Sequence, residues 1–292
     1  MKIVVTGREG QVVKSLLEKA SQRPDIQVIA LGRPDLDLTK PETVLSTVED
    51  LGPDLVVSAA AYTAVDLAED EPEVALAVNA TGAQAVAQAA KACGVPVIHI
   101  STDYVFAGDA REPYVETDVT LPRSAYGSSK LEGERLVAEA NPKHIILRTA
   151  WVYSPFGKNF VKTMLKLAET QDAVSVVSDQ WGNPTCALDI ADAIIEVAAQ
   201  LTAKPDFSAY GVYHLAGTGD TNWSGFARAI FSESAELGGP TATVADIATA
   251  AYPTKAVRPA NSRLLTAKFR ATFGWSAPPW QTSLRGVLKR LI

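Results

Sequence analysis

A tyrosine and a lysine stand four positions apart in Ala125-Tyr126-Gly127-Ser128-Ser129-Lys130. On a helix this spacing places both side chains on one face, so a phenol and an ammonium become neighbours. A phenol titrates near ~10 and exchanges protons poorly at neutral pH, but a cation within ~4–6 Å favours its ionised form. A ketone that receives a hydride turns into an alkoxide, and a proton donor of adjusted acidity beside it lowers that barrier. The pair therefore predicts carbonyl reduction, with Tyr126 as proton donor and Lys130 as the cation that makes it more acidic. A strand-like run, Ile98-His99-Ile100-Ser101-Thr102-Asp103, ends in hydroxyls and an acid. Thr102 is expected to hydrogen-bond both the substrate oxygen and the phenol, which fixes the geometry of proton transfer.

Such chemistry needs a hydride source, and the N-terminal segment offers a place for one. Thr6-Gly7-Arg8-Glu9-Gly10-Gln11-Val12-Val13 follows the first strand directly and leads into a helix. Gly7 permits the tight turn, Gly10 lets backbone approach a pyrophosphate, and the N–H groups of Gly10, Gln11 and Val12 favour its charge. Val13 stands where the dinucleotide fingerprint has its third glycine. The second strand ends in Leu31-Gly32-Arg33 rather than in the acid that receives the ribose hydroxyl of NAD. A guanidinium suits a 2′-phosphate, so Arg33 predicts NADPH over NADH, with NADH still usable. Asp37 and Leu38 lie just beyond and are placed at the adenine.

The elements that must hold these groups read as an α/β fold. It is a doubly wound, mostly parallel, Rossmann-like sheet with a smaller, interleaved C-terminal substrate lobe. Strands are expected at Ile3–Thr6, Val28–Leu31, Leu55–Val57, Val97–Ser101 and Ile145–Arg148. Between them, Gln11–Ala20, Pro41–Glu49, Pro72–Cys93 and Ser128–Ala140 carry apolar residues at helical spacing. Thr39-Lys40-Pro41-Glu42 has the residue types of a capping box. Residues 1–150 form the expected dinucleotide-binding domain, joined in its sheet by strands at Val174–Val177 and Val212–Leu215, and 151–292 mainly the lobe, with a helix near Leu188–Ala199.

These residues resemble the extended short-chain dehydrogenase/reductase family along essentially the whole chain, and within it the reductases of nucleotide sugars. Besides the glycine turn and the Tyr126/Lys130 pair, the resemblance rests on Ala59-Ala60-Ala61-Tyr62-Thr63-Ala64-Val65-Asp66, Ser101-Thr102-Asp103-Tyr104-Val105-Phe106 and Arg148-Thr149-Ala150-Trp151-Val152-Tyr153. It continues through Gly182-Asn183-Pro184-Thr185, Tyr252-Pro253-Thr254 and Arg258-Pro259-Ala260-Asn261-Ser262-Arg263-Leu264. The resemblance implies that Gly10, Gln11 and Val12 hold the pyrophosphate, Asp37 and Leu38 the adenosine, and Ala61, Tyr62 and Thr63 the middle of the cofactor. It places Tyr126 and Lys130 at the nicotinamide ribose and Thr102, Asp103 and Trp151 at the sugar. The implied reaction reduces a dTDP-linked 4-ketosugar at C4, with Tyr126 protonating its oxygen. Val13, Gly32-Arg33, and Ser58 in place of the asparagine often found before the alanines depart from the family pattern. Two other functions share this ancestry: a dinucleotide-binding partner similar to the regulatory subunit of methionine adenosyltransferase, and a nucleotide-sugar epimerase or dehydratase. The first lacks a need for Thr102, Tyr126 and Lys130 together, and the second needs further acid/base groups.

Composition narrows the partners. With 27 Lys+Arg against 33 Asp+Glu and no basic run, the chain has no electrostatic footprint for nucleic acid. Cys93 and Cys186 are too few for a disulfide framework, and the opening Met1-Lys2-Ile3-Val4-Val5 reads as a strand rather than a leader; a cytoplasmic protein off the membrane, monomeric or homodimeric, is expected. No metal site is expected, because His99 and His214 lie in or beside strands without clustered carboxylates or thiols and read as core histidines. Asn79 reads as a cofactor-side polar group or, at least as readily, as a buried helix asparagine bonded to backbone, and is left out of the site; of the five tryptophans only Trp151 is given a site role. Arg258, Asn261 and Arg263 suit the nucleotide end of the substrate and stabilisation of the lobe equally.

Overall fold

The computed structural model describes residues 1–204 and 206–292. Five β-branched runs form parallel strands β1 (Lys2–Thr6), β2 (Gln27–Leu31), β3 (Leu55–Ser58), β4 (Val97–Thr102) and β5 (His144–Thr149). A sixth parallel strand, Gly211–His214, pairs with β5, and the sheet runs Gly211–His214, β5, β4, β3, β1, β2. From β1 the chain moves to β2 on one side and β3 on the other. The order therefore reverses between β1 and β3, and a crevice opens beyond their carboxyl ends.

Alternation along the strands sends side chains to two cores. Ile3, Val5, Val57, Ile98 and Ile145 face α1 (Gln11–Ser21) and the helix Ala187–Ala203. Val4, Val56, Val97 and Ile146 face α2 (Val44–Glu49), α4 (Ala83–Ala92) and α5 (Ala125–Ala140). A third core, built from Tyr153, Val161, Met164, Phe226, Leu284 and Leu288, lies apart from the sheet. The chain returns from it to the sheet at Gly211–His214 and at Phe269 and Phe273.

Three local expectations change. The strand Ala173–Val177 does not join the central sheet; it pairs with Thr243–Ile247 in a separate two-stranded sheet, where Val174 and Val176 fill the third core. No capping box forms at Thr39: its hydroxyl and N–H both go to Asp37 Oδ1, and Pro41–Thr43 is a 3₁₀ turn entered from Lys40. The stretch 72–93 is not one α-helix. After α3 (Pro72–Leu76) a π-helical turn, Ala77–Gly82, precedes α4. The irregular turn carries Asn79 and Gly82 into backbone contacts that admit no Cβ: one at Gly82 would lie 2.7 Å from the Leu38 carbonyl oxygen, and one at Gly133 of α5 would lie 2.1 Å from the Asn79 carbonyl oxygen.

Candidate active site

The glycine turn leaves β1 at Gly7, whose φ of +103° is open to glycine and strained for other residues. Val13 is absorbed into the core beneath α1, 2% exposed, so the missing third glycine is replaced by packing rather than by a gap. The first turn of α1 carries no acidic residue, and Gly10 at its N-cap provides no side-chain cap. Its amides have no hydrogen-bond partner among the described residues and so can meet a negative charge, which is the property a pyrophosphate requires. The Gln11 side chain is committed elsewhere: its Oε1 accepts from Ser154 Oγ at 2.8 Å and from Asn159 Nδ2 at 2.9 Å. Gln11 thus offers a ligand its backbone N–H and ties the turn to the segment after β5.

Arg33 is exposed at the end of β2. A second guanidinium, unremarked in the sequence, lies at the same edge. Arg8 of the glycine turn runs its stem against Gly32, where an added Cβ would lie 3.1 Å from Arg8 Cγ, and its guanidinium pairs with Asp35. Asp37 turns its Oδ1 to the Thr39 N–H and hydroxyl, and these bonds hold its carboxyl below the usual range. Leu38 is buried with the core on that face, so at the adenosine it has backbone rather than side chain to offer.

Beyond β3, Thr6 Oγ1 accepts the N–H groups of Ala59 and Ala60, both at 3.1 Å. The next residues, Ala61, Tyr62 and Thr63, are held from the π-helical turn. Asn79 Oδ1 accepts the Tyr62 N–H at 2.8 Å, and Asn79 Nδ2 donates to the Tyr62 carbonyl at 3.1 Å and to Ser129 Oγ at 2.9 Å. Asn79 is a residue that sequence reasoning left out, and its signal was a lone amide in an otherwise apolar helix.

Helix α5 opens at Ala125, so Tyr126 and Lys130 lie on one helix. Ser124 caps it, accepting the Gly127 N–H at 3.1 Å, and Glu69 Oε1 accepts the Ala125 N–H at 2.8 Å. Gly127 allows close approach, since a Cβ there would lie 2.3 Å from the Tyr104 carbonyl oxygen. Tyr126 consequently reaches Tyr104, with ring centres 5.6 Å apart and edge to face, and its hydroxyl lies beside Thr102. Thr102 Oγ1 donates to Asp103 Oδ1 at 2.9 Å and accepts the Tyr104 N–H at 3.2 Å. Its proton is directed to Asp103.

The acidity of the phenol runs against the sequence expectation. Burial, followed by the nearby Asp103 carboxylate, raises the Tyr126 pKa above its ordinary value, and the adjacent Thr102 hydroxyl opposes that rise. No lowering comes from Lys130, whose own pKa burial pushes down to about 8 while Glu134 works to raise it. Two desolvated groups each disfavour their charged form, and this outweighs the helical proximity on which the expectation rested. Asp103, 4% exposed, is pushed up by burial to about 6, and its Oδ2 has no hydrogen-bond partner among the described residues.

Lys130 is buried, with Nζ donating to the Ile100 carbonyl at 2.7 Å and lying 3.2 Å from His99 Nε2. Behind it, Glu134 accepts from Ser101 Oγ and forms a two-pronged bond with Arg148, at 2.9 and 2.7 Å. Trp151 sits at φ +50° and stacks on Trp223 with ring centres 3.6 Å apart. The indole also closes on Gly182, where a Cβ would lie 2.4 Å from it. Arg258 pairs with Asp66 and donates to the Tyr104 hydroxyl at 3.1 Å, which brings the C-terminal segment to the site. Asn261 and Arg263 instead brace the lobe: Asn261 Nδ2 donates to the Ala110 and Glu112 carbonyls, and Arg263 pairs with Asp220. Among the described residues there is no group of three or more His, Cys, Asp or Glu arranged to hold a metal ion.

The family described as RmlD substrate binding domain matches residues 1–292. A dTDP-4-dehydrorhamnose reductase of Sinorhizobium fredii is 51% identical over 292 residues, covering 100% of this chain and 98% of its own. The crystal structure of a dTDP-4-dehydrorhamnose reductase from Clostridium acetobutylicum superposes with a TM-score of 0.92 at 37% identity, covering 100% of this chain and 99% of that one. A dTDP-4-dehydrorhamnose reductase from Bacillus anthracis, in complex with NADP, gives a TM-score of 0.91 at 34% identity, with 99% and 98% covered.

Proposed function

Because the chain belongs to the RmlD substrate binding domain family, we infer that it is an NADPH-dependent oxidoreductase, a dTDP-4-dehydrorhamnose reductase, acting in dTDP-rhamnose biosynthesis. It converts dTDP-6-deoxy-L-lyxo-4-hexulose to dTDP-L-rhamnose. The observation that carries this reading is the meeting of Thr102, Tyr126 and Lys130 at the carboxyl end of β4, beside the crevice where the strand order reverses. The full-length relatives favour the reductase over a regulatory subunit or an epimerase.

The amides of the first turn of α1, Gly10, Gln11 and Val12, hold the pyrophosphate, with Gly7 keeping the turn close. Arg33, joined by Arg8, receives the 2′-phosphate, and Asp37 and Leu38 border the adenosine. Ala61, Tyr62 and Thr63 line the middle of the cofactor, and Tyr126 and Lys130 meet its nicotinamide ribose. When bound, the nicotinamide supplies a hydride to C4 of the sugar. Tyr126 delivers the proton to the C4 oxygen, and a donor reluctant to ionise matches an alkoxide that is more basic still. Thr102 aims the phenol, Asp103 holds Thr102 and contacts the sugar, and Trp151 packs against the sugar from the lobe. The third core, with the segments from 151 onward that surround it, forms the substrate lobe, and residues 1–150 the dinucleotide domain.

Among the described residues no helix is long and apolar enough to cross a membrane. A cytoplasmic enzyme, working as a monomer or homodimer without nucleic acid, accords with the acidic balance and the two dispersed cysteines. The reading is tested by mixing purified protein, NADPH and the 4-ketosugar nucleotide while following absorbance at the nicotinamide band. Stoichiometric loss with formation of dTDP-L-rhamnose is expected; no loss sinks the reading.

A further inference from the structure

The side chains behind Lys130 form a chain with defined donor order. The Lys130 ammonium has three N–H donors and no acceptor. One goes to the Ile100 carbonyl at 2.7 Å, and His99 Nε2, at 3.2 Å, must accept another. An imidazole whose Nε2 accepts carries its proton on Nδ1, and Nδ1 lies 3.1 Å from Ser58 Oγ, which receives it. His99 and Ser58 are each 1% exposed, so neither bond competes with bulk water. The serine that departs from the family pattern in β3 is the partner that holds this tautomer.

We infer that His99, held by Ser58, is a positioning residue for Lys130: with the Ile100 carbonyl it engages two of the three ammonium N–H groups and leaves one to face the nicotinamide ribose and Tyr126. The role of that last N–H rests on the function proposed above; the orientation itself does not. A neutral ring is required, since a second cation against Lys130 would repel it, and burial together with Lys130 keeps the His99 pKa well below its ordinary value. The groups that face Lys130 are His99 and the Ile100 carbonyl from β4 and Glu134 from its own helix. Ser58 lies behind the imidazole, and Arg148 on β5 neutralises the Glu134 carboxylate. His99 is therefore the side chain that accepts from the ammonium without adding charge.

Nitrogen-15 NMR of the imidazoles in the protein without dinucleotide or sugar tests the orientation. A neutral His99 with its proton on Nδ1 throughout the neutral range is expected; a proton on Nε2, or titration near the ordinary histidine value, overturns the proposal. His99→Leu removes the acceptor and disfavours the charged lysine. Its NADPH dissociation constant should rise, and kcat should fall roughly tenfold with the sugar KM little changed. The alkaline limb of its pH profile should move down by about one unit. His99→Gln, whose amide oxygen can accept, should recover most of both effects. A wild-type profile in His99→Leu, or a His99→Gln variant equally impaired, overturns the role. If His99→Leu does not fold, the tautomer measured in the unaltered protein decides. Absence of NADPH oxidation by that unaltered protein would refute the proposed function and leave the tautomer result standing.

Discussion

Asn79 grips the Tyr62 main chain on both sides of its Cα, accepting the N–H at 2.8 Å and donating to the carbonyl at 3.1 Å, while the same amide reaches Ser129 on α5. The segment proposed to line the middle of the cofactor is thereby held in register with the helix that carries Tyr126 and Lys130. Asn79→Ala strips the Tyr62 main chain of both partners, a loss of about 1–3 kcal/mol where the groups stay unsatisfied. NADPH binding, followed by fluorescence titration, should weaken roughly tenfold, and turnover at saturating cofactor should change less. Unchanged affinity would show that the loop holds its shape without the clamp.

Tyr126→Phe keeps the ring against Tyr104 and removes the hydroxyl that meets Thr102. Turnover should fall by roughly 10²-fold or more while NADPH affinity stays near wild type. Near-normal turnover would remove Tyr126 from the donor role.

Arg8 and Arg33 separate the two ways of reading cofactor choice. Arg33→Ala should weaken NADPH more than NADH, and Arg8→Ala should do the same if the pairing with Asp35 opens to receive the 2′-phosphate. Dissociation constants for both dinucleotides give the answer. Equal losses for the two cofactors reject the phosphate role of the residue concerned.

Asp103 makes stability depend on pH in a definite sense. Its folded pKa, about 6, lies above the ordinary 3.8, so its contribution is fully present below 3.8 and is lost as pH rises through about 6. Asp103→Asn does not titrate there. The melting temperature of the variant relative to wild type should therefore climb across that window and level off above it, even as activity falls. A difference that stays flat from acid to neutral pH would place the Asp103 carboxyl in water.

Arg148 and Glu134 are each 5% exposed at the side chain. Arg148→Met leaves Glu134 a buried carboxylate with Ser101 as its one remaining hydrogen-bond partner among the described residues, a destabilisation of about 3–5 kcal/mol. Replacing both residues by apolar ones should cost much less. Urea denaturation of the single and double variants measures the difference, and equal losses would mean that the ion pair is not what the core depends on.

Periodicity carried the sheet. The five strands from β1 to β5 lie where alternation and β-branched runs placed them, because a buried parallel sheet leaves continuous apolar runs in the chain. The placement of Gly7 and Gly10 in a turn before a helix, of Thr102 at a strand end and of Tyr126 and Lys130 on one helix was equally legible, since turn geometry and helix spacing act over a few residues. The boundaries that failed depended on distant partners. Val174–Val177 is as good a strand for one sheet as for another, and pairing with Thr243–Ile247 is a long-range choice. Thr39 had an acceptor two residues back in Asp37, which won over the cap.

The sequence alone determined which groups are present and which of them share a helix face or a strand end, because those relations follow from local geometry. Only the tertiary structure decided their electrostatics and their supports. The desolvation that raises Tyr126 and lowers Lys130, the clamp of Asn79 on Tyr62, Arg8 beside Gly32, and the line from Ser58 through His99 to Lys130 all join residues far apart in the chain. Burial and hydrogen bonding are sums over every neighbour in space, and that sum is fixed only once the sheet has brought β3, β4 and α5 together.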